Sequence, residues 1–293
     1  ILYSNQYIKI IVIIYYMVNI IQHGSDGLGH QMYGLFTCMI LHNVGDYKFS
    51  GYDFIKKSFK FQHLSPIEQQ QCKLYLTEIV HLFTQKYSIN NRKFNGYIHS
   101  HEVYKIPTIP DENILYGLDN AYFFDKIKLN ETEKIVHSEN IHDMAPLFIN
   151  KYLPSNWLSE KNIVVHIRLG DALITGRGES INKYNKILMK LIDILINKYI
   201  DYEYYFHTDG NIDFILDKLK GMNIKYTVSG KNTPILNVIS DLIHSKILIC
   251  GNSGLSKVCS FLGNKELVVI NDDNKHSIST ITCKISDYIS DNS

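Results

Sequence analysis

The chain of 293 residues is long enough for one large domain or two of ordinary size, and 45% apolar residues is ample for proper cores. With 30 basic against 29 acidic side chains, a net charge of +1 and no long charge run, it lacks the electrostatic footprint of a nucleic-acid binder. Its 5 cysteines are odd in number, far apart and without a CxxC spacing, so they read as reduced core thiols rather than a disulfide framework.

Residues 1–21, "ILYSNQYIKIIVIIYYMVNII", hold an uninterrupted apolar run only from Ile10 to Val18, between Lys9 and Asn19. That is well short of the roughly 20 residues a spanning helix needs, and no A-x-A-like cleavage site follows. No strong membrane anchor is expected. Residues 1–16 read as an extension or weak targeting segment, and a cytoplasmic location is favoured unless residues 1–21 act as a signal or anchor, which would place the chain in the secretory-pathway lumen.

The fold reads as starting at Met17, with a first strand over Val18–Gln22. Apolar residues at helical spacing (Leu28, Met32, Leu35, Phe36, Met39, Ile40) predict a helix to Val44, stopped by Gly45. Residues 46–52 alternate as a strand. Ser65 and Pro66 start an amphipathic helix to about Tyr87, Ser65 as N-cap and Pro66 in the first turn. Residues 88–135, with Pro107, Pro110 and Gly117, read as loops and short strands.

From Asn162 the alternation is cleaner: strands at 163–167, 202–207, 223–228, 246–250 and 266–270, with helices at about 181–199, 211–221, 234–244 and 254–262 between them. That pattern predicts a parallel, doubly wound sheet. "KYLPSNWLSEK", 151–161, separates this half from the first, giving an N-terminal domain over 17–155 and a C-terminal domain over 156–293, both Rossmann-like.

In such sheets ligands sit outside the carboxyl ends of the strands. "NIVVHIRLGDA" ends a buried strand in His166, Arg168 and Asp171, where Arg168 offers a fork of donors suited to phosphate. "YYFHTDG" leaves His207, Thr208 and Asp209 after the next strand, and "ILICGNSGLSK" sets Asn252, Ser253 and Gly254 at a helix start, where backbone N–H groups and the helix dipole favour an anion. "GSDGLGHQ" contributes Gly27, Gly29, His30 and Gln31 from the first half; with Met32 at the third glycine position it is not the dinucleotide fingerprint. Each has a bland reading: an Arg168–Asp171 ion pair bracing a turn, Ser253 as an N-cap only, a glycine turn without a ligand.

Taken together, these motifs carry a family resemblance. "DGLGHQMYGLF" looks like the Gly-x-Gly-Asn-Gln turn and helix of the fucosyltransferases, "HIRLGD" resembles their His-x-Arg-Arg-Gly-Asp motif, and "ILICGNSGLSKVCSFLG" is similar to their third, Ser-containing motif. The alpha-1,2, alpha-1,6 and protein O-fucosyltransferases are the groups concerned. The resemblance covers both halves in order and leaves about residues 46–160 without a distinctive motif.

It implies a GT-B fold, two Rossmann-like domains facing across a cleft, and inverting, metal-independent transfer of L-fucose from GDP-fucose to a glycan or glycoprotein acceptor, with no cofactor. Carried over, Arg168 holds the β-phosphate and stabilises the GDP leaving group, and His166 positions the donor, with Asp171 closing the same motif. Asp209 or Asp241 contacts ribose or guanine, and Ser253, between Asn252 and Gly254, reaches the pyrophosphate. Gly27, Gly29, His30 and Gln31 face the donor from the other side. The chain departs from the pattern at Leu169, where the second Arg stands, and at His30, where Asn is usual. Two other readings remain open, a GT-B transferase using another nucleotide sugar and a non-catalytic nucleotide-sugar or carbohydrate binder. Glu179, Asp26, His63 and His101 are candidate bases that spacing does not separate.

Overall fold

The computed structural model describes residues 18–23, 27–44, 47–53, 64–87, 96–101, 114–118, 131–154, 159–167, 178–211, 213–251, 253–263, 265–271 and 282–284. The first half contains strands β1 (Val18–His23), β2 (Tyr47–Asp53), β3 (Gly96–His101) and β4 (Ile114–Leu118), with helices α1 (Leu28–Val44), α2 (Pro66–Tyr87) and α3 (Glu131–Phe148). Its strands form one sheet in the order β2-β1-β4-β3, and every pairing is parallel.

The second half comprises β5 (Asn162–Ile167), α4 (Gly178–Lys198), β6 (Glu203–Thr208), α5 (Asp213–Leu219), β7 (Lys225–Ser229), α6 (Ile235–His244), β8 (Ile247–Gly251), α7 (Gly254–Phe261), β9 (Leu267–Asn271) and β10 (Thr282–Lys284). Its sheet runs β10-β9-β8-β5-β6-β7, again wholly parallel. Numbered within the half, that is the doubly wound order 3-2-1-4-5-6, and the direction of winding reverses between β5 and β8.

The elements follow from local chemistry. At the start of α2 the Ser65 backbone N–H donates to Glu68 Oε2 at 3.1 Å and the Glu68 N–H donates to Ser65 Oγ at 3.3 Å, a reciprocal capping box. β5 reads as a continuous apolar run because both faces are covered: Ile163, Val165 and Ile167 pack toward α4, while Val164 enters the other core.

Helix α1 is apolar on nearly every side, with Leu28, Met32, Tyr33, Leu35, Phe36, Cys38, Met39, Ile40 and Leu41 all buried. The reason is its position, against β1, β2 and α3 of its own half and against α7 of the other. Phe36 stacks on Phe261 at 5.8 Å and meets Phe148 edge-on at 5.5 Å. One core therefore runs from α1, α2 and α3 through to Val164, Leu236, Leu248 and Val258.

Two elements were not anticipated. Helix α3 replaces the loops and short strands expected over 131–135 and runs on to Phe148 through residues given no assignment from the sequence; its described buried stripe is only Ile141, Met144 and Phe148, and Pro146 sits in its last turn. Strand β10 adds an edge beyond β9. Cys38, Cys72, Cys250 and Cys259 are buried and joined in no disulfide, as expected. Among the described residues no helix is long and apolar enough to cross a membrane, and no three His, Cys, Asp or Glu side chains are grouped to hold a metal. Residues 1–16 and the boundary near 155 lie outside the described residues.

Candidate functional site

The end of β5 is where the winding reverses, and there the structure assembles a polar group. His166 is in register with His207 on β6 and with Cys250 on β8, so the three project from the same face of the sheet. His166 Nδ1 lies 2.6 Å from Ser256 Oγ on α7. Ser253 caps α7 in extended backbone, accepting the Ser256 N–H at 3.0 Å, and its hydroxyl donates to Ser256 Oγ at 2.8 Å. Both serines are buried. Ser253 was singled out from the sequence and Ser256 was not; the signal for Ser256 is its place three residues beyond the cap.

The first half reaches this point through the start of α1. The Gln31 N–H closes the first turn onto the Gly27 carbonyl at 3.1 Å, and Gln31 itself is buried. Gly29 lies so close to α7 that a Cβ on it would stand 2.3 Å from the Leu255 backbone nitrogen, while a Cβ on Gly254 would stand 3.2 Å from the His30 N and Nδ1. The first turns of α1 and α7 are thus in direct contact, and the positive ends of two helix dipoles lie together.

Beside this group, the ends of β6 and β7 border a concavity of about 880 Å³ lined by Asp209, Gly210, Asn211 and residues 230–234. Thr208 Oγ1 accepts the Gly210 N–H at 3.1 Å and shapes the turn that presents the exposed Asp209. Lys231, Asn232 and Thr233, which the sequence reading passed over, supply further polar groups to it.

Asp241 is placed differently. Its Oδ2 lies 2.8 Å from His207 Nε2, tying α6 to β6. A carboxylate only accepts, so His207 carries a proton on Nε2; its Nδ1 is buried with no partner among the described residues. Asp241→Ala is expected to leave both ring nitrogens of His207 without a partner and to cost about 1–3 kcal/mol in urea unfolding, with Asp241→Asn recovering part of it. An Asp241→Ala protein as stable as the wild type would show that the pair contributes nothing to the fold.

The structure thus brings together His166, Ser253, Gly254, Gly27, Gly29, His30 and Gln31, puts Asp209 at the neighbouring strand end, and engages Asp241 with His207. Arg168, Asp171 and Asn252 lie outside the described residues, as do Asp26 and His63.

No protein-family model matches the chain, and no curated protein matches it by sequence. Among solved structures it is similar to the E. coli heptosyltransferase WaaC with ADP-2-deoxy-2-fluoro heptose, at 9% identity over 94% of this chain and 100% of that one, TM-score 0.45. It is similar also to a family 9 glycosyl transferase from Veillonella parvula, at 11% identity over 94% and 88% of the two chains, TM-score 0.40. The S. aureus MnaA–UDP structure is similar at 11% identity over 87% and 79%, TM-score 0.33. These likenesses are distant, and the fold stands on the strand orders and registers themselves. Two wholly parallel sheets flanked by helices in one chain, the second in the order 3-2-1-4-5-6, make a GT-B class fold of two Rossmann-like units.

Proposed function

We propose that this protein is a glycosyltransferase that takes a nucleotide sugar as donor, held at the carboxyl ends of β5, β6 and β8. The observation that carries the reading is the meeting of the first turns of α1 and α7 beside His166, at the point where the second sheet reverses its winding. Open α/β sheets bind ligands at that point. Two helix N-termini there favour a diphosphate, and the concavity beyond Asp209 has room for a nucleoside.

In this scheme Arg168 and the α7 N-terminus stabilise the charge that develops on the departing diphosphate, the task a divalent cation performs in other transferases, and no metal or cofactor is assigned. His166 and Ser253 are assigned to the phosphates, together with Asp171, Asn252 and Gly254. Asp209 faces the ribose or base, and Gly27, Gly29, His30 and Gln31 close the donor from the other half. The acceptor is a glycan or glycoprotein, approached from the first half.

The donor sugar is left open by the fold. The narrower reading, inverting transfer of fucose from GDP-fucose, is supported by the three motif resemblances in family order. Leu169 in place of an arginine favours keeping a third reading, a binder that no longer transfers.

Calorimetric titration of GDP, UDP and ADP, followed by turnover with the matching sugar nucleotides, tests the proposal. One nucleotide is expected to bind, and Arg168→Ala to lower kcat on the order of 10²- to 10³-fold, the usual cost of removing one preorganised donor. Wild-type turnover in Arg168→Ala removes that residue from the chemistry. Absence of nucleotide binding by the folded protein overturns the function, and binding without transfer to any acceptor supports the third reading.

A further inference from the structure

The Ser253 hydroxyl oxygen accepts the Ser256 N–H at 3.0 Å, and its proton is given to Ser256 Oγ at 2.8 Å. Ser256 then has one proton of its own to place, and its remaining partner is His166 Nδ1 at 2.6 Å. Ser253 is 4% exposed and Ser256 fully buried, so neither proton is turned to bulk water.

A hydroxyl can donate to an imidazole nitrogen only where that nitrogen keeps its lone pair, and a ring that accepts at Nδ1 bears its hydrogen on Nε2. We infer that Ser256 is a positioning residue that fixes His166 as the neutral Nε2–H tautomer, so that His166 meets an oxygen of the bound diphosphate as a hydrogen-bond donor rather than as a base. The inference rests on the nucleotide-sugar reading for its ligand and on the Ser253–Ser256–His166 chain for its geometry.

The consequences are specific. The Ser253 proton is directed inward, so this serine serves the phosphate through the helix start it caps and not through its hydroxyl. The base for the acceptor hydroxyl is a residue other than His166. The adjacent ring, His207, reaches the same tautomer by a separate route, because Asp241 accepts from its Nε2. Two imidazoles in register on β5 and β6 are therefore both protonated on Nε2.

The test is a two-bond 1H–15N correlation spectrum of the full chain with ring-labelled histidine at pH 8, the His166 signals being identified by their loss in His166→Gln. A bare Nδ1 with a protonated Nε2 is the expected pattern. An Nδ1–H tautomer, or a ring protonated on both nitrogens, overturns the inference. Ser256→Ala and Ser253→Ala are each expected to release the ring into a tautomer mixture, the first by removing the donor to Nδ1 and the second by removing the group that orients it, while Ser256→Thr keeps the wild-type pattern. A Ser256→Ala ring with an unchanged pattern is contrary to the inference, and if that variant does not fold, the wild-type spectrum alone decides.

Titration with GDP, UDP and ADP distinguishes failure of the function from failure of the tautomer. Ser256→Ala is expected to weaken the nucleotide that binds by roughly 2- to 10-fold, the worth of one neutral hydrogen bond, with Ser256→Thr close to wild type. A protein that binds none of the three nucleotides yet shows the bare Nδ1 refutes the function and leaves the tautomer standing. One that binds nucleotide with Nδ1–H refutes the tautomer alone.

Discussion

Gly29→Ala is expected to destabilise the protein by about 2 kcal/mol net and to weaken nucleotide binding at least tenfold, while Gly27→Ala, two residues earlier, does neither to that extent. The new methyl would stand 2.3, 2.6 and 2.7 Å from the N, Cα and Cβ of Leu255. Two of those atoms are backbone and cannot rotate away, so α1 and α7 have to part. Overpacking of this kind costs roughly 1–3 kcal/mol, occasionally more, and the contact belongs at the upper end. Against it stands the roughly 1 kcal/mol that alanine gains over glycine inside a helix. The collision wins. Nothing lies within 4 Å of a Cβ on Gly27, and its substitution costs only what a poorer N-cap costs, about 0.5–1 kcal/mol. Urea unfolding and calorimetric titration of both variants check the pair of expectations; equal behaviour would mean that the junction of the two helices is not tight in solution.

The second large effect is a stability that climbs with pH between about 7 and 8.5. Lys265 is 7% exposed, and its Nζ donates to the Leu242 and Ile243 carbonyls at 2.8 Å each, closing the end of α6. Burial brings its amine down to about 7 from the ordinary 10.5, with Cys259 and Cys250 opposing that only in part. A neutral amine still has two N–H groups for the two carbonyls. From pH 7 up to 10.5 the unfolded chain holds a proton that the folded one has released, so folding is favoured as pH rises, by at most about 1.4 kcal/mol per unit. Below pH 7 both states hold it and the dependence vanishes. The buried thiols of Cys72 and Cys259, pushed up to about 12 from 9.0, act the other way once pH passes 9, because the unfolded thiols then ionise first. His42 and His244, lowered by burial, act only below their ordinary 6.5. The clean window therefore ends near 8.5. Unfolding free energies from urea titrations at pH 7.0 and 8.5 are expected to differ by about 2 kcal/mol in the wild type and to coincide in Lys265→Met; a slope that survives in the variant assigns the proton to another group.

The second half was legible because its strands are covered on both faces and read as short apolar runs. Its helices alternate with them at regular spacing, and the resulting sheet order follows the rule for such patterns. Helix α3 was missed for the opposite reason: its described buried stripe is three residues wide and Pro146 interrupts it. At the candidate site, the positions of His166, Asp209 and Ser253 at strand ends could be read from the chain. Ser256 and the His207–Asp241 bond were not, since they depend on α7 and α6 lying across β5 and β6. The crowding of Gly29 against Leu255 joins residues at opposite ends of the sequence, and no local pattern announces it.

The burial of α1 on all sides bears on how such a chain can change over evolutionary time. Tyr33 and Phe36 meet Phe261 across the junction, so neither sheet owns a complete core, and the two halves are not interchangeable cassettes. A transplanted second half would arrive with a foreign oily flank where α1 must seat. New specificity in this architecture is therefore easier to acquire by altering the loops beyond the strand ends, such as 209–211 and 230–234, than by recombining halves.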